Sequence, residues 1–109
     1  MERAVFVYTT WPSAVEAEAA GRSLCDRHLA ACVNILPGMV SFYRWEGKVE
    51  RGQEAVMIVK TRAGLVDEVE AAVKDLHPDA VPAILVIPLD RVEGSYLSWL
   101  IEQTGGAPI

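Results

Sequence analysis

The sequence predicts an α+β domain with strands and helices in the order β-α-β-β-α-β, followed by a short C-terminal helix. Three observations carry this reading. Short runs of β-branched and aromatic residues alternate with two segments whose apolar residues recur at helical spacing. The stretch from Ala31 to Thr61 holds two long strands with only a tight turn between them. The strand runs are apolar on both faces, so their sheet needs cover on two sides.

Arg3–Tyr8 reads as the first strand. Ser13 with Glu16 three residues on forms a capping box, and Pro12 suits a helix entry. The first helix is expected to run to Arg27 or Leu29. Its apolar side is thin: Val15, Ala20, Leu24 and His28. Ala31–Leu36 is the second strand, bent at Pro37-Gly38 and continued by Val40–Trp45. Glu46-Gly47 is a two-residue turn. Lys48–Thr61 returns as the third strand, with Gly52 expected as a bulge or break. Leu65, Val69, Ala72, Val73 and Leu76 define a second amphipathic helix, with Asp67, Glu68, Glu70, Lys74 and Asp75 on its wet side. Pro78 stops it. Ala83–Ile87 follows Pro82 as the last strand. Gly94-Ser95 opens a final helix over Tyr96–Gln103, ended by Gly105-Gly106, and Ala107-Pro108-Ile109 is a loose tail. The order is that of a ferredoxin-like sandwich with right-handed crossovers.

At 109 residues the chain is one domain. The 51% hydrophobic and 23% charged residues are those of a globular protein. A net charge of −5 argues against nucleic acid as a partner. No run of apolar residues is long enough for a membrane-spanning helix, and the N-terminal segment lacks the signal-peptide pattern. The expected location is therefore cytoplasmic. Two cysteines are too few for a disulfide framework.

In a ferredoxin-like domain both helices cover one face of the sheet. The other should then be polar at alternate positions, but Ala4, Phe6 and Tyr8 lie opposite Val5 and Val7, and Val56 and Ile58 opposite Ala55, Met57 and Val59, so it is apolar too. The short C-terminal helix covers part of that face, and a second copy of the chain is the simplest cover for the rest.

The segments LAACVNILPG, SFYRWEGKVE, EAVMIVKT, HPDAVPAILVIPL and YLSWL stand in one order along nearly the whole chain. In order and spacing this set resembles the CutA family of divalent-cation-tolerance proteins. The resemblance implies a single CutA-like domain over residues 1–109, a homotrimer with hairpins paired edge to edge, and a link to divalent metals, chiefly copper. The family usually reads HPYEVPE where this chain has His77-Pro78-Asp79-Ala80-Val81-Pro82-Ala83.

Candidate ligands for copper or another divalent cation are Cys32, His77 and Asp79. Cys32 reads either as a soft thiolate ligand or as a small buried residue. His77 reads either as a cation ligand beside Asp79 or as a helix-end residue suited to the C-terminal dipole. Cys25, His28 and Cys32 lack a fourth ligand, which leaves them short of a zinc site. Lys60 ends an apolar strand and requires a carboxylate, an anion or solvent. With Tyr43 and Trp45 it forms a candidate inter-subunit cleft for an anion or nucleotide, as in PII-like trimers. A third reading is a trimeric scaffold that anchors a partner protein. No nucleophile-plus-base pattern, phosphate loop or organic-cofactor motif is present, so enzymatic activity is the least favoured class.

Overall fold

The computed structural model describes residues 2–106; the tail Ala107-Pro108-Ile109 lies outside the described residues. The elements are β1 (Ala4–Trp11), α1 (Ala14–Asp26), β2 (Cys32–Trp45), β3 (Lys48–Arg62), α2 (Val66–Leu76), β4 (Ile84–Pro88) and α3 (Gly94–Gln103). A single 3-10 turn, Ala63–Leu65, leads into α2. The sheet order is β2-β3-β1-β4, and every pairing is antiparallel. This is the ferredoxin-like arrangement.

β1 runs three residues beyond the expected Tyr8. Thr9 and Trp11 are fully buried there because their polar atoms are satisfied in series. The Trp11 indole N–H donates to Thr9 Oγ1 at 2.8 Å, and that hydroxyl donates to the Met57 carbonyl at 2.8 Å. A buried polar pair with complete hydrogen bonding carries little penalty.

The Ser13 cap forms as expected, accepting from the Glu16 backbone N–H at 3.3 Å. The buried side of α1 is Ala17, Ala20, Gly21 and Leu24. Val15, expected on the apolar side, is exposed, because it lies off the stripe set by those four residues. Small residues bring α1 close to the sheet. A Cβ on Gly21 would stand 2.7 Å from Val33 Cγ2, which no real packing tolerates.

The helix ends at Asp26, short of the expected Arg27 or Leu29. His28 takes a left-handed conformation (φ 58°), and the Leu29 N–H closes onto Leu24 O at 3.0 Å. This is a Schellman ending with histidine where glycine is usual. His28 is therefore exposed and not part of the apolar side.

Glu46 and Gly47 both have positive φ (47° and 80°), so the tight turn forms as read. Gly52 is not a break: it pairs in register with Ser41. The irregularity falls between Leu36 and Met39, at Pro37-Gly38. Gly52 instead leaves room for the Tyr43 ring, since a Cβ there would meet Tyr43 Cε1 at 3.4 Å.

The core lies between the sheet and α1 and α2, with Val5, Val7, Trp11, Met57, Val59, Leu24, Val69 and Val73 at its centre. A second small cluster of Ala4, Leu100 and Ile101 seats α3 on the other side. Leu76, at the last turn of α2, is left partly exposed. Arg62 ties the edges of this cluster together. Its guanidinium donates to Glu2 Oε1 at 2.7 Å and to the Thr104 carbonyl at 3.0 Å.

Candidate functional site

Strand register assigns side chains to the face away from α1 and α2. Cys32, Lys60, Phe6 and Ile87 form one row across the four strands. Asn34, Ile58, Tyr8 and Leu85 form the next, and Leu36, Val56 and Thr10 the third. Both faces of the sheet are apolar, as read from the sequence. α3 seats on one end of this face only, and Leu36, Leu85 and Ile87 remain exposed.

Polar atoms are threaded through it. Cys32 is a free, half-buried thiol whose Sγ accepts from Asn34 Nδ2 at 3.8 Å. Beside it, the Lys60 ammonium lies 5.7 Å from the centroid of the Tyr96 ring. Lys60 is half-buried and forms no ion pair among the described residues. Tyr96 in turn packs against Trp99, with ring centroids 5.5 Å apart. On the next row the Tyr8 hydroxyl donates to Met39 Sδ at 3.6 Å.

His77 stands elsewhere and is held by the backbone. Its Nδ1 accepts from the Asp79 N–H at 3.0 Å, so Nε2 carries the proton donated to the Thr10 carbonyl at 2.7 Å. His77 is 8% exposed, and its ring packs on Trp11 with centroids 4.3 Å apart. Both nitrogens are thus engaged, and the residue pins the segment after α2 to the end of β1. Thr10 is four strand residues from Phe6 in the Cys32 row, about 13 Å along the sheet. Trp11 belongs to the core on the helix side. Cys32, His77 and Asp79 therefore do not converge within one chain, and Asp79 itself is exposed.

Nor do Cys25, His28 and Cys32 converge. Cys25 packs against the helix-side core. Burial pushes its thiol up, with Cys32 and Asp26 adding to the shift. The His28 ring turns to α3, with Nδ1 3.1 Å from the Gln103 carbonyl. Among the described residues, no group of three His, Cys, Asp or Glu side chains is placed to hold a metal ion.

Tyr43 and Trp45 lie at the far end of the hairpin. Tyr43 pairs with Glu50, ten residues along β3 from Lys60, a separation of about 33 Å. Within one chain they share no cleft with Lys60. Sequence reading did not connect Tyr8, Asn34, Met39 and Tyr96 to this face. The parity of Lys60 and Ile58 gives the signal for Tyr8 and Asn34, but only once the register between strands is known.

The family model described as CutA1 divalent ion tolerance protein matches residues 5–103. The chain belongs to the CutA1 family. Its resemblance to the divalent-cation tolerance protein CutA of Thermus thermophilus is 42% identity over 105 residues, 96% of this chain and 100% of that one. The protein of the same name from Pyrococcus horikoshii is 44% identical over 100 residues, 92% of this chain and 97% of its own. Among solved structures, the periplasmic divalent cation tolerance protein CutA from Archaeoglobus fulgidus aligns with a TM-score of 0.90 at 44% identity. That alignment covers 93% of this chain and 98% of the other. None of these names denotes an enzyme. No helix among the described residues is long and apolar enough to cross a membrane.

Proposed function

We propose that this CutA1-family chain acts in divalent-cation tolerance as a homotrimer that binds copper weakly to moderately. The observation that carries the reading is the family match across residues 5–103. The half-covered apolar face supports the assembly, since a monomer seldom leaves such a surface bare. Cys32 is the ligand best placed for a soft ion, being a free thiol within reach of that face. With both His77 nitrogens engaged by backbone, His77 and Asp79 join only if the Asp79–Nδ1 hydrogen bond opens.

The test is calorimetric titration of the reduced, metal-free protein with Cu(I) and Cu(II), beside Cys32→Ser. One ion per chain with Kd between about 1 µM and 1 mM, weakened at least tenfold by the substitution, is the expected result. No binding tighter than about 1 mM would sink the copper reading.

Lys60 favours a second reading, a PII-like module that binds a small anion or nucleotide between subunits. A half-buried ammonium without a carboxylate partner among the described residues suits an anionic group. Melting midpoints that rise with nucleotide concentration in the wild type, and not in Lys60→Met, support it. Equal midpoints at all concentrations refute it.

A further inference from the structure

α3 lies on the sheet face that carries Lys60, and little apolar contact keeps it there. Its buried apolar side chains are Leu100 and Ile101, which meet Ala4, with Leu97 and Val92 partly buried beside them. Tyr96 and Trp99 stay 39% and 41% exposed. The main core lies on the other face and draws no residue from α3 among the described residues. The helix also carries its own caps. Glu93 accepts from the Ser95 and Tyr96 N–H groups, and the Thr104 hydroxyl and Gly106 N–H close the last turn. An element with its own caps and a small seat is the kind that opens locally while the rest of a fold stays shut.

Polar ties hold its C-terminal end. Arg62, the last residue of β3, donates from Nη2 and Nε to the Thr104 carbonyl at 3.0 and 3.3 Å. From Nη1 it donates to Glu2 Oε1 at 2.7 Å. One guanidinium thus joins β3, the segment before β1 and the end of α3. It also holds the Glu2 carboxyl below its ordinary range. His28 adds a second tie, from Nδ1 to the Gln103 carbonyl at 3.1 Å. At the N-terminal end, among the described residues, the polar contact with the sheet is the Lys60 ammonium over the Tyr96 ring at 5.7 Å.

We propose that α3 is a latched cover over Lys60, with Arg62 as the latch and Glu2 holding the latch in place. Closed, the helix gives the ammonium an aromatic face as its partner. Open, it leaves the ammonium free to exchange that partner for an anion. Such a gate rests on the anion reading above and adds to it what admits the ligand.

The chain has three lysines, and Lys48 and Lys74 are exposed, so both serve as internal references for Lys60. Acetylation by an N-hydroxysuccinimide ester and amide hydrogen exchange are read by mass spectrometry in wild type, Arg62→Met, Glu2→Gln and Tyr96→Ala. In wild type Lys60 is expected to react at least about tenfold more slowly than the references. Arg62→Met is expected to speed both Lys60 acetylation and α3 exchange by about tenfold or more, with β1 and β3 amides unchanged. Glu2→Gln keeps the bonds to Thr104 and is expected to give a smaller rise in both. Tyr96→Ala is expected to raise Lys60 acetylation alone, which separates loss of the ring from opening of the helix. Lys60 reacting as fast as the references in wild type, or unchanged in Tyr96→Ala, overturns the cover. An Arg62→Met protein whose α3 exchange rises without Lys60 acetylation overturns it too. Equal acceleration of β1 and β3 shows global loosening and overturns the latch. Should Arg62→Met fail to fold, Glu2→Gln decides, and unchanged α3 exchange there overturns the latch. Melting midpoints that ignore nucleotide refute the anion ligand and leave the cover standing.

Discussion

β3 passes through two environments within fifteen residues. From Ala55 to Arg62 it is the middle of the sheet, with β1 on one side and β2 on the other, and Met57 and Val59 are fully buried. From Lys48 to Glu54 it has β2 alone, and most of its side chains face water. Both halves have similar backbone geometry and both carry apolar residues. The difference is whether the same chain supplies the cover. The first half is stabilised by folding, and under the proposed assembly the second, a two-stranded ribbon with β2, would be covered by another copy of the chain.

Two tryptophans give this comparison its largest expected contrast. Trp11 is fully buried, stacks on His77 and donates to Thr9. Trp11→Ala should cost about 3–5 kcal/mol of stability, read from urea unfolding. Trp45 is exposed at the end of the ribbon. Trp45→Ala should cost less than about 0.5 kcal/mol in a dilute sample where copies are apart, and act on assembly instead. Equal losses for the two would mean that the ribbon folds as part of the core.

Next in size is Gly21, where α1 meets the sheet. Gly21→Ala gains helix propensity but forces a methyl group to 2.7 Å from Val33 Cγ2. The clash should win, with a net loss of about 1–3 kcal/mol in the same unfolding assay. Unchanged stability would show that α1 can lift from the sheet at little cost.

A smaller effect is expected in acid. Glu93 caps α3, with its carboxylate accepting from the Ser95 and Tyr96 N–H groups at 3.0 Å each. Those bonds hold the Glu93 carboxyl below its ordinary range. A lowered folded value means stability that is present above the unfolded value and lost as pH falls through the folded one. The wild type should melt above Glu93→Gln at pH 7, and the gap should close as pH drops below about 4. A gap that stays constant with pH would remove the charged cap from the account.

The smallest change lies in the turn. Glu46 sits at φ 47°, a conformation that asparagine adopts more readily. Glu46→Asn should raise the melting midpoint slightly, by a stability gain below about 1 kcal/mol.

Much of the fold was legible because local chemistry and tertiary need agree. Ser13 caps where a capping box predicts, Glu46-Gly47 turns where two strands of matched length meet, and the excess of apolar strand positions marks the second face. The misreadings fall where long-range contacts decide. Val15 looked apolar and in phase, but the stripe that meets the sheet is drawn by Ala17 and Gly21, residues that carry little hydropathic signal. Gly52 looked like a break, yet its reason is the ring of Tyr43 across the ribbon. The candidate site was less legible than the fold. His77 stands three-dimensionally beside Thr10, 67 positions away, and its nitrogens are spent on backbone groups that no side-chain pattern reports. Cys32 and Lys60 were singled out separately, and only the pairing register shows that they are neighbours.

The three tryptophans also amount to a set of optical probes already in place. Trp11 is fully buried against an imidazole, Trp45 is exposed at the end of the ribbon, and Trp99 is 41% exposed beside Tyr96. Indole emission moves to the red with solvent exposure. Loss of the Trp11 environment therefore reports melting of the core, and a blue shift from Trp45 reports contact between chains. Unfolding and association can be followed as separate colours in one unlabelled sample.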